Sequence, residues 1–142
     1  MARDVVLQAI LDEAVFQNQG FDEDNVLVNY DGDQRPSDQM FMVLRWETED
    51  IDLRGDDSSV TKGVRHLTIW VHLYKEFSTD FVRIDNVLKA LDNVLTNIID
   101  RPGADGRTVV MIEPEGKSRD LRDVTYETLC RSASYRVLSR DT

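Results

Sequence analysis

The stretch from Val64 to Lys75 alternates apolar and polar side chains so strictly that it predicts a β-strand. One face of this strand would carry four aliphatic side chains: Leu67, Ile69, Val71 and Leu73. The other face would carry imidazole, hydroxyl and aromatic groups: His66, Thr68, Trp70, His72 and Tyr74. Because this second face is amphipathic and aromatic, we expect it to be partly exposed or to meet a partner.

Two segments have the apolar spacing of amphipathic helices. The first covers residues 5–17, and the second begins after Asp80, a candidate N-cap, and ends by the Pro-Gly pair at 102–103. Leu88 and Leu91 lie on the apolar stripe of the second helix. We expect both side chains to be buried against the aliphatic face of the 64–75 strand.

Further strands are predicted on both sides of this helix. Residues 39–47 alternate two apolar faces, 108–112 form a compact buried strand, and 26–28 are a candidate edge strand. Residues 127–139 alternate less strictly, and a one-residue slip in their pattern predicts a β-bulge. The residues 113–123 between the last two strands read as a charged connection.

The order helix, strand, strand, helix, strand, strand predicts one α+β domain over residues 1–142. We expect a mostly antiparallel or mixed sheet with two principal helices packed on it. The strands at 39–47 and 64–75 form an antiparallel hairpin, because no crossover helix separates them. Between them, the polar connection from Thr48 to Gly63 is predicted to form an extended arm.

The net charge of −10 is unevenly distributed along the chain. Residues 1–60 hold 15 acids and 4 bases, whereas residues 61–142 hold 12 acids and 13 bases. This acidic balance argues against a general nucleic-acid binder, which needs a basic footprint. Arginine pairs well with carboxylates, so the acidic half could meet the Arg-bearing half across subunits. The simpler alternative is that the charge only keeps the protein soluble.

The sequence shows no apolar stretch near the ~20 residues of a membrane helix. Its first residues lack an apolar segment followed by a cleavage site, so we expect that they are not a secretory signal. We also expect that the protein is made in the cytoplasm. The lone Cys130 cannot pair within the chain, and a single strand cysteine is most often a small buried apolar residue.

The residues that could carry chemistry do not form a recognised site. His66 and His72 would be about 20 Å apart along one strand, too far to bind one metal ion. The Asp31-Gly32-Asp33 turn and the acidic 47–57 segment do not match the register of an EF-hand loop. Phosphate-binding, zinc-protease and hydrolase motifs are missing from the sequence. We therefore expect no enzyme activity, cofactor or metal, although an enzyme whose site escapes spacing arguments stays an alternative.

The segment from residue 65 to residue 95 resembles a known family. It contains, in order, RHLTIWVHLYK at 65–75, STD at 78–80 and RIDNVL at 83–88. A strand carrying Trp-Val-His, a capped turn, and Arg-Ile-Asp opening the next helix are together similar to small tail terminator proteins of long-tailed (siphovirus-type) bacteriophages. The likeness is strongest to phages that infect actinobacteria, and the element order of the whole chain is also similar.

This resemblance implies a non-enzymatic α/β subunit that assembles as a homohexameric ring. Such a ring caps the finished tail tube, ends polymerisation of the major tail tube protein, and offers a surface for head-tail joining through a connector or stopper protein. DNA would pass through the lumen without specific binding, and no membrane would be involved. The implied location is the head-proximal end of the virion tail. A head-tail connector or stopper protein is the alternative from the same junction, and a small cytoplasmic enzyme or regulatory domain is the alternative from another class.

The acidic connection suggests where a partner could bind. Ile51 and Leu53 lie two residues apart among its carboxylates, which fits a strand-like arm that reaches an adjoining protein. On this hypothesis its carboxylates meet arginines, while the competing hypothesis is that they line the lumen and repel DNA. The candidate interface residues are Glu47, Glu49, Asp50, Ile51, Asp52, Leu53, Asp56, Asp57, Trp70, Tyr74, Arg119, Arg122, Arg131 and Arg136.

Overall fold

A computed structural model describes residues 3–52 and 62–141 of the chain. Within these residues it contains three helices and seven strands. Their bounds are α1 Arg3–Asp12, α2 Ala14–Asn18, β1 Val26–Val28, β2 Met40–Asp52, β3 Lys62–Tyr74, α3 Phe81–Thr96, β4 Arg101–Pro102, β5 Arg107–Lys117, β6 Leu121–Asp123 and β7 Thr128–Asp141.

The strands form one mixed sheet in the order β1-β2-β3-β7-β5-β4, and β6 pairs with β7 beside the end of β5. β1 runs parallel to β2, and the other pairs are antiparallel. The fold class is therefore α+β and mostly sheet, as predicted. The hairpin of β2 and β3 and the edge position of β1 are also confirmed.

The helices cover one face of the sheet. Leu88 and Leu91 of α3 are 1% and 0% exposed and belong to the same core as the aliphatic face of β3, as the apolar stripe predicted. Asp80 caps α3, because its carboxylate accepts a hydrogen bond from the Val82 amide at 2.9 Å. No helix in the described part of the chain is long and apolar enough to cross a membrane.

The bulge predicted in the last strand is wrong. β3 and β7 pair without a register shift from Lys62↔Arg140 to Tyr74↔Thr128. The irregularities lie instead in β5, between Val109 and Met111 and near its proline. The sequence pattern appeared to slip because Arg131 is charged but lies on the helix-covered side of the sheet, where apolar residues alternate. There it forms an ion pair with Asp85 of α3.

Several connections are shorter than the sequence suggested. β2 continues to Asp52 and β3 begins at Lys62, so both ends of the predicted 48–63 arm are strand. The pairing of the two strands has a register shift after Trp46. Much of the 113–123 connection is also strand, because backbone pairing with β7 outweighs its charged composition. The first helix is interrupted at Glu13, and α3 ends at Thr96, before the predicted stop.

Candidate interaction surface

The face of the sheet opposite the helices is called here the helix-free face. Cross-strand partners lie on the same face of a sheet, so the register defines its rows. From one end to the other the rows across β2, β3 and β7 are Phe41, His72 and Cys130; Val43, Trp70 and Ser132; Arg45, Thr68 and Ser134; and, across β3 and β7 alone, His66 and Arg136, then Val64 and Leu138.

The first rows are covered by loops of the same chain. Tyr126 stands edge-on against Phe41 and His72, with ring centroids 5.6 Å away in both cases, and its hydroxyl donates to the Gly32 carbonyl at 2.6 Å. Arg35 places its guanidinium 3.5 Å from the centre of the Tyr74 ring. Tyr74, predicted as an interface anchor, therefore already stacks with an arginine of its own chain.

His72 is buried, although its strand face was expected to be partly exposed or to meet a partner. Its ring stacks on Phe41 at 4.5 Å, and its Nδ1 lies 2.8 Å from the Thr128 hydroxyl. Burial lowers the pKa of His72 to about 4, a shift that the carboxylate of Asp123 opposes. The imidazole is consequently neutral at pH 7.

Cys130 is a buried thiol beside His72 in the same row, as expected for a lone strand cysteine. Burial raises its pKa to about 11, and the negative charge of Asp123 adds to the shift. A neutral imidazole next to a protonated thiol is the opposite of an activated Cys-His pair, in which the thiolate is stabilised by a charged imidazolium. Neither group in this row is therefore in the ionisation state that an activated Cys-His pair has.

Trp70 marks the border between the covered and uncovered parts of the helix-free face. It is half-buried and lines a cleft of about 290 Å³ with these residues: Val43, Arg45, His72, Asp123, Tyr126 and Cys130. Beyond it the face carries hydroxyls, then His66 Nδ1 at 2.7 Å from a Glu115 carboxylate oxygen, an ion pair between Arg136 and Glu113 at 3.4 Å, and the partly exposed Val64 and Leu138. The uncovered part of the face is thus mostly polar, and its polar side chains largely contact one another.

The four arginine candidates fall into two groups. Arg131 bridges Asp85 and Asp120, and Arg136 pairs with Glu113, so both tie elements of one subunit together. Arg119 and Arg122 are exposed, and their guanidinium groups contact no carboxylate among residues 3–52 and 62–141. Arg119 and Arg122 therefore carry positive charges that no described carboxylate neutralises.

The acidic candidates lie at the far end of β2. Glu47 is exposed, and its carbonyl accepts a hydrogen bond from Arg65 at 2.9 Å. Glu49, Asp50, Ile51 and Asp52 belong to β2. Leu53, Asp56 and Asp57 lie outside the described residues.

The sequence interpretation missed the residues that cover the helix-free face. Arg35 and Tyr126 come from segments read as loops, where no periodicity places a side chain. β6 was missed because three residues, Leu121 to Asp123, are too few for an alternation to be recognised. The described residues include no cluster of three or more metal-ligating side chains.

Comparison with protein-family models and with curated proteins gives no match. Comparison with solved structures finds a chain from a structure titled "Virion of native gene transfer agent (GTA) particle". The two chains superpose with a TM-score of 0.68 at 16% sequence identity, over 95% of this chain and 91% of that one. This protein therefore has the fold of a virion chain along nearly its whole length.

Proposed function

We propose that this chain is a structural protein of a phage-like virion, and that it acts there as a tail terminator. Copies of the chain would form a homohexameric ring at the head-proximal end of the tail. The ring would stop addition of the tail tube protein and present a surface to the head-tail connector or stopper protein. The protein would act by assembly and not by catalysis.

The observation that carries this proposal is the shared fold with a virion chain. The overlap includes 95% of one chain and 91% of the other, so the likeness covers nearly the whole of both chains and not one part of them. The narrower role rests on the resemblance of residues 65–95 to tail terminators. Fold alone does not define function, so the two supports are needed together.

The charge of the chain supports a role beside moving DNA. With a net charge of −10, a ring of this protein would repel the phosphate backbone and would release few counterions on contact. DNA could then pass through the ring without being held. The unreactive states of His72 and Cys130 remove the most plausible catalytic pair on the helix-free face.

The hairpin of β2 and β3 remains the proposed contact with an adjoining protein. Pairing of Glu49↔Arg65 through Asp52↔Lys62 carries both strands past the register shift. Ile51 and Leu53 would supply apolar anchors, and the surrounding carboxylates would meet basic groups of the neighbour. The alternative role, repulsion of DNA from the lumen, needs the charges but not the two apolar side chains.

Localisation in the virion tests the proposed function. A peptide tag added to the protein, with gold-labelled antibody against it, should decorate one position per particle, at the junction of head and tail. Label along the whole tail, at the tail tip, or on no particle would contradict the proposal. A tagged major tail tube protein is the control, because it should be decorated along the length of the tail.

A further inference from the structure

The two ends of the sheet carry exposed charges of opposite sign. Around β1, the acidic side chains Glu23, Asp24, Asp31 and Asp33 are exposed, and none pairs with a lysine or arginine that the structure describes. On the other side of the sheet, β6 and the residues before it carry Arg119 and Arg122, whose guanidinium groups contact no described carboxylate. The acids among them already have partners within the subunit: Asp120 pairs with Arg131, and Asp123 accepts from the Tyr126 amide. Complementary charge at opposite ends of one subunit suits a head-to-tail contact between copies.

β1 has backbone groups that point away from the sheet. The Asn25 carbonyl accepts from Met42, and the Asn29 amide donates to Leu44, so the odd-numbered residues of this segment face β2. In a strand the intervening residues face the opposite side, which leaves Val28 with its amide and carbonyl directed outward. β1 contains no proline that would block a further strand.

β6 offers the same kind of edge. The backbone of Ser132 exchanges hydrogen bonds with Ser118, so the even-numbered residues of β7 face β5 and β6. Arg122 stands opposite an odd-numbered residue, Leu129, and therefore directs its own amide and carbonyl outward. The neighbouring edges at β4 and β5 are less suitable, because each contains a proline.

The strand directions and faces of the two edges are compatible. β1 runs parallel to β2, and the alternation through β3, β7 and β6 makes β6 antiparallel to β1. Val28 lies level with Leu44 on the helix-covered face, and Arg122 lies level with Leu129 on that same face. A strand pair that places Val28 opposite Arg122 would keep the helix-covered faces of both copies on one side.

We propose that β1 of one copy pairs antiparallel with β6 of the next copy, with Val28 opposite Arg122, and that this contact joins the subunits of the ring. The ring itself rests on the proposed function. In this register Val124, which follows the last residue of β6 and is 90% exposed in the single chain, comes beside Val26. Arg119 lies toward the end of β1 that leads to Asp31, so unpaired charges of opposite sign come together there.

Cross-linking tests the contact in the full-length protein. Val28→Cys/Arg122→Cys should form disulfides between copies under mild oxidation and give a ladder of covalent multimers that stops at the closed ring. Within one copy the two positions are separated by four strand spacings, about 19 Å, which is too far for an internal disulfide. Each single variant has one accessible cysteine, since Cys130 is buried, and should give no product above dimer.

A matched control distinguishes a specific contact between copies from random collision in solution. Lys75→Cys/Lys89→Cys carries two exposed cysteines away from both edges, and its multimers form only by random encounter. The proposal predicts that the Val28/Arg122 variant cross-links much faster than this control at equal concentration. Equal rates, or no ladder at the highest soluble concentration, would overturn it.

Charge reversal gives an independent test. Arg119→Glu/Arg122→Glu makes both edges acidic, and Asp31→Arg/Asp33→Arg places arginines at the end of β1 that faces Arg119, so like charges meet in each variant and neither alone should assemble. A one-to-one mixture should assemble, because opposite charges then meet at this end of every contact around an even-numbered ring. The same reversal at Lys75 and Lys89 should leave assembly unchanged. Assembly of either edge variant alone, or failure of the mixture, would contradict the pairing.

These outcomes are distinguishable from failure of the proposed function. If the edge variants assemble normally and the protein is still found at the head-tail junction, the edge contact is wrong and the tail role stands. If the cross-linked ladder forms but the protein is missing from that junction, the contact stands and the tail role is wrong.

Discussion

At the scale of single residues, the helix-free face illustrates how burial changes chemistry. His66 and His72 share one strand face, yet His66 pairs with Glu115 at the surface while His72 stacks on Phe41 under Tyr126. The alternation of the strand predicted which face each imidazole occupies. It could not predict the covering tyrosine, because Tyr126 is placed by a turn whose geometry depends on hydrogen bonds to Asp123 and Gly32.

The buried imidazole predicts a dependence of stability on pH. The pKa of His72 falls from 6.5 to about 4 on folding, so between these values the unfolded chain binds a proton that the folded chain does not. His72 therefore favours the unfolded state by an increasing amount as pH falls below 6.5, reaching about 3 kcal/mol below pH 4.

Urea unfolding at pH 7.5 and pH 4.5 measures this effect. His72→Gln should lose less stability than the wild type between the two values. Equal losses in the two proteins would show that His72 is not buried in its neutral form.

Cys130 gives a second prediction at this scale. Cys130→Ser should lower the free energy of unfolding by about 1–3 kcal/mol, because a hydroxyl replaces a thiol in a buried position. Urea unfolding measures this change. Assembly should be unchanged, and elemental analysis of the purified protein should find no stoichiometric zinc or calcium. Cys130→Ala is the matched control for the lost volume. A variant that folds with wild-type stability but does not assemble would contradict this account.

At the scale of elements, long periodic segments were predictable and short ones were not. β3 and α3 each repeat their pattern over many residues, so sequence located both and their mutual contact. β4 and β6 contain two and three residues, and their pairing is decided by neighbouring strands. The bulges of β5 were likewise hidden, because they arise from how two strands match in length and twist.

The packing of α3 on the sheet predicts the cost of removing a core side chain. Leu91 is completely buried, so Leu91→Ala should destabilise the protein by about 2–5 kcal/mol through lost transfer energy and a cavity. Asn93→Ala, an exposed change in the same helix, should alter stability by less than about 0.5 kcal/mol. Chemical denaturation measures both, and a small effect at Leu91 would mean that α3 is not the core helix.

The extended β2-β3 hairpin predicts a separable assembly defect. Ile51→Ser/Leu53→Ser should leave the subunit folded but abolish ring formation or attachment to tails, because the apolar anchors of the hairpin are lost. Val82→Ser/Ile99→Ser removes two exposed aliphatic side chains elsewhere and is the matched control. Electron microscopy of tails and an infectivity assay give the readouts. Normal assembly and infectivity would leave the acidic segment with only an electrostatic role.

At the scale of the whole molecule, the subunit combines a net charge of −10, a fold shared with a virion chain and, in our proposal, two complementary sheet edges. The fold class was predictable because element order and alternation are local properties of the chain. The surface that meets a partner was less predictable, since it depends on which arginines are already neutralised. Arg131 and Arg136, for example, pair with Asp85 and Glu113, which are distant in sequence.

The most direct test of the central claim is the distribution of tail lengths in particles made with and without this protein. The account predicts uniform tails with attached heads when it is present, and overlong tails of variable length, without heads, when it is absent. Restoring the wild-type protein should restore uniform length. Tails of the same uniform length without the protein would contradict a terminator, and if they also lacked heads they would favour a connector or stopper instead.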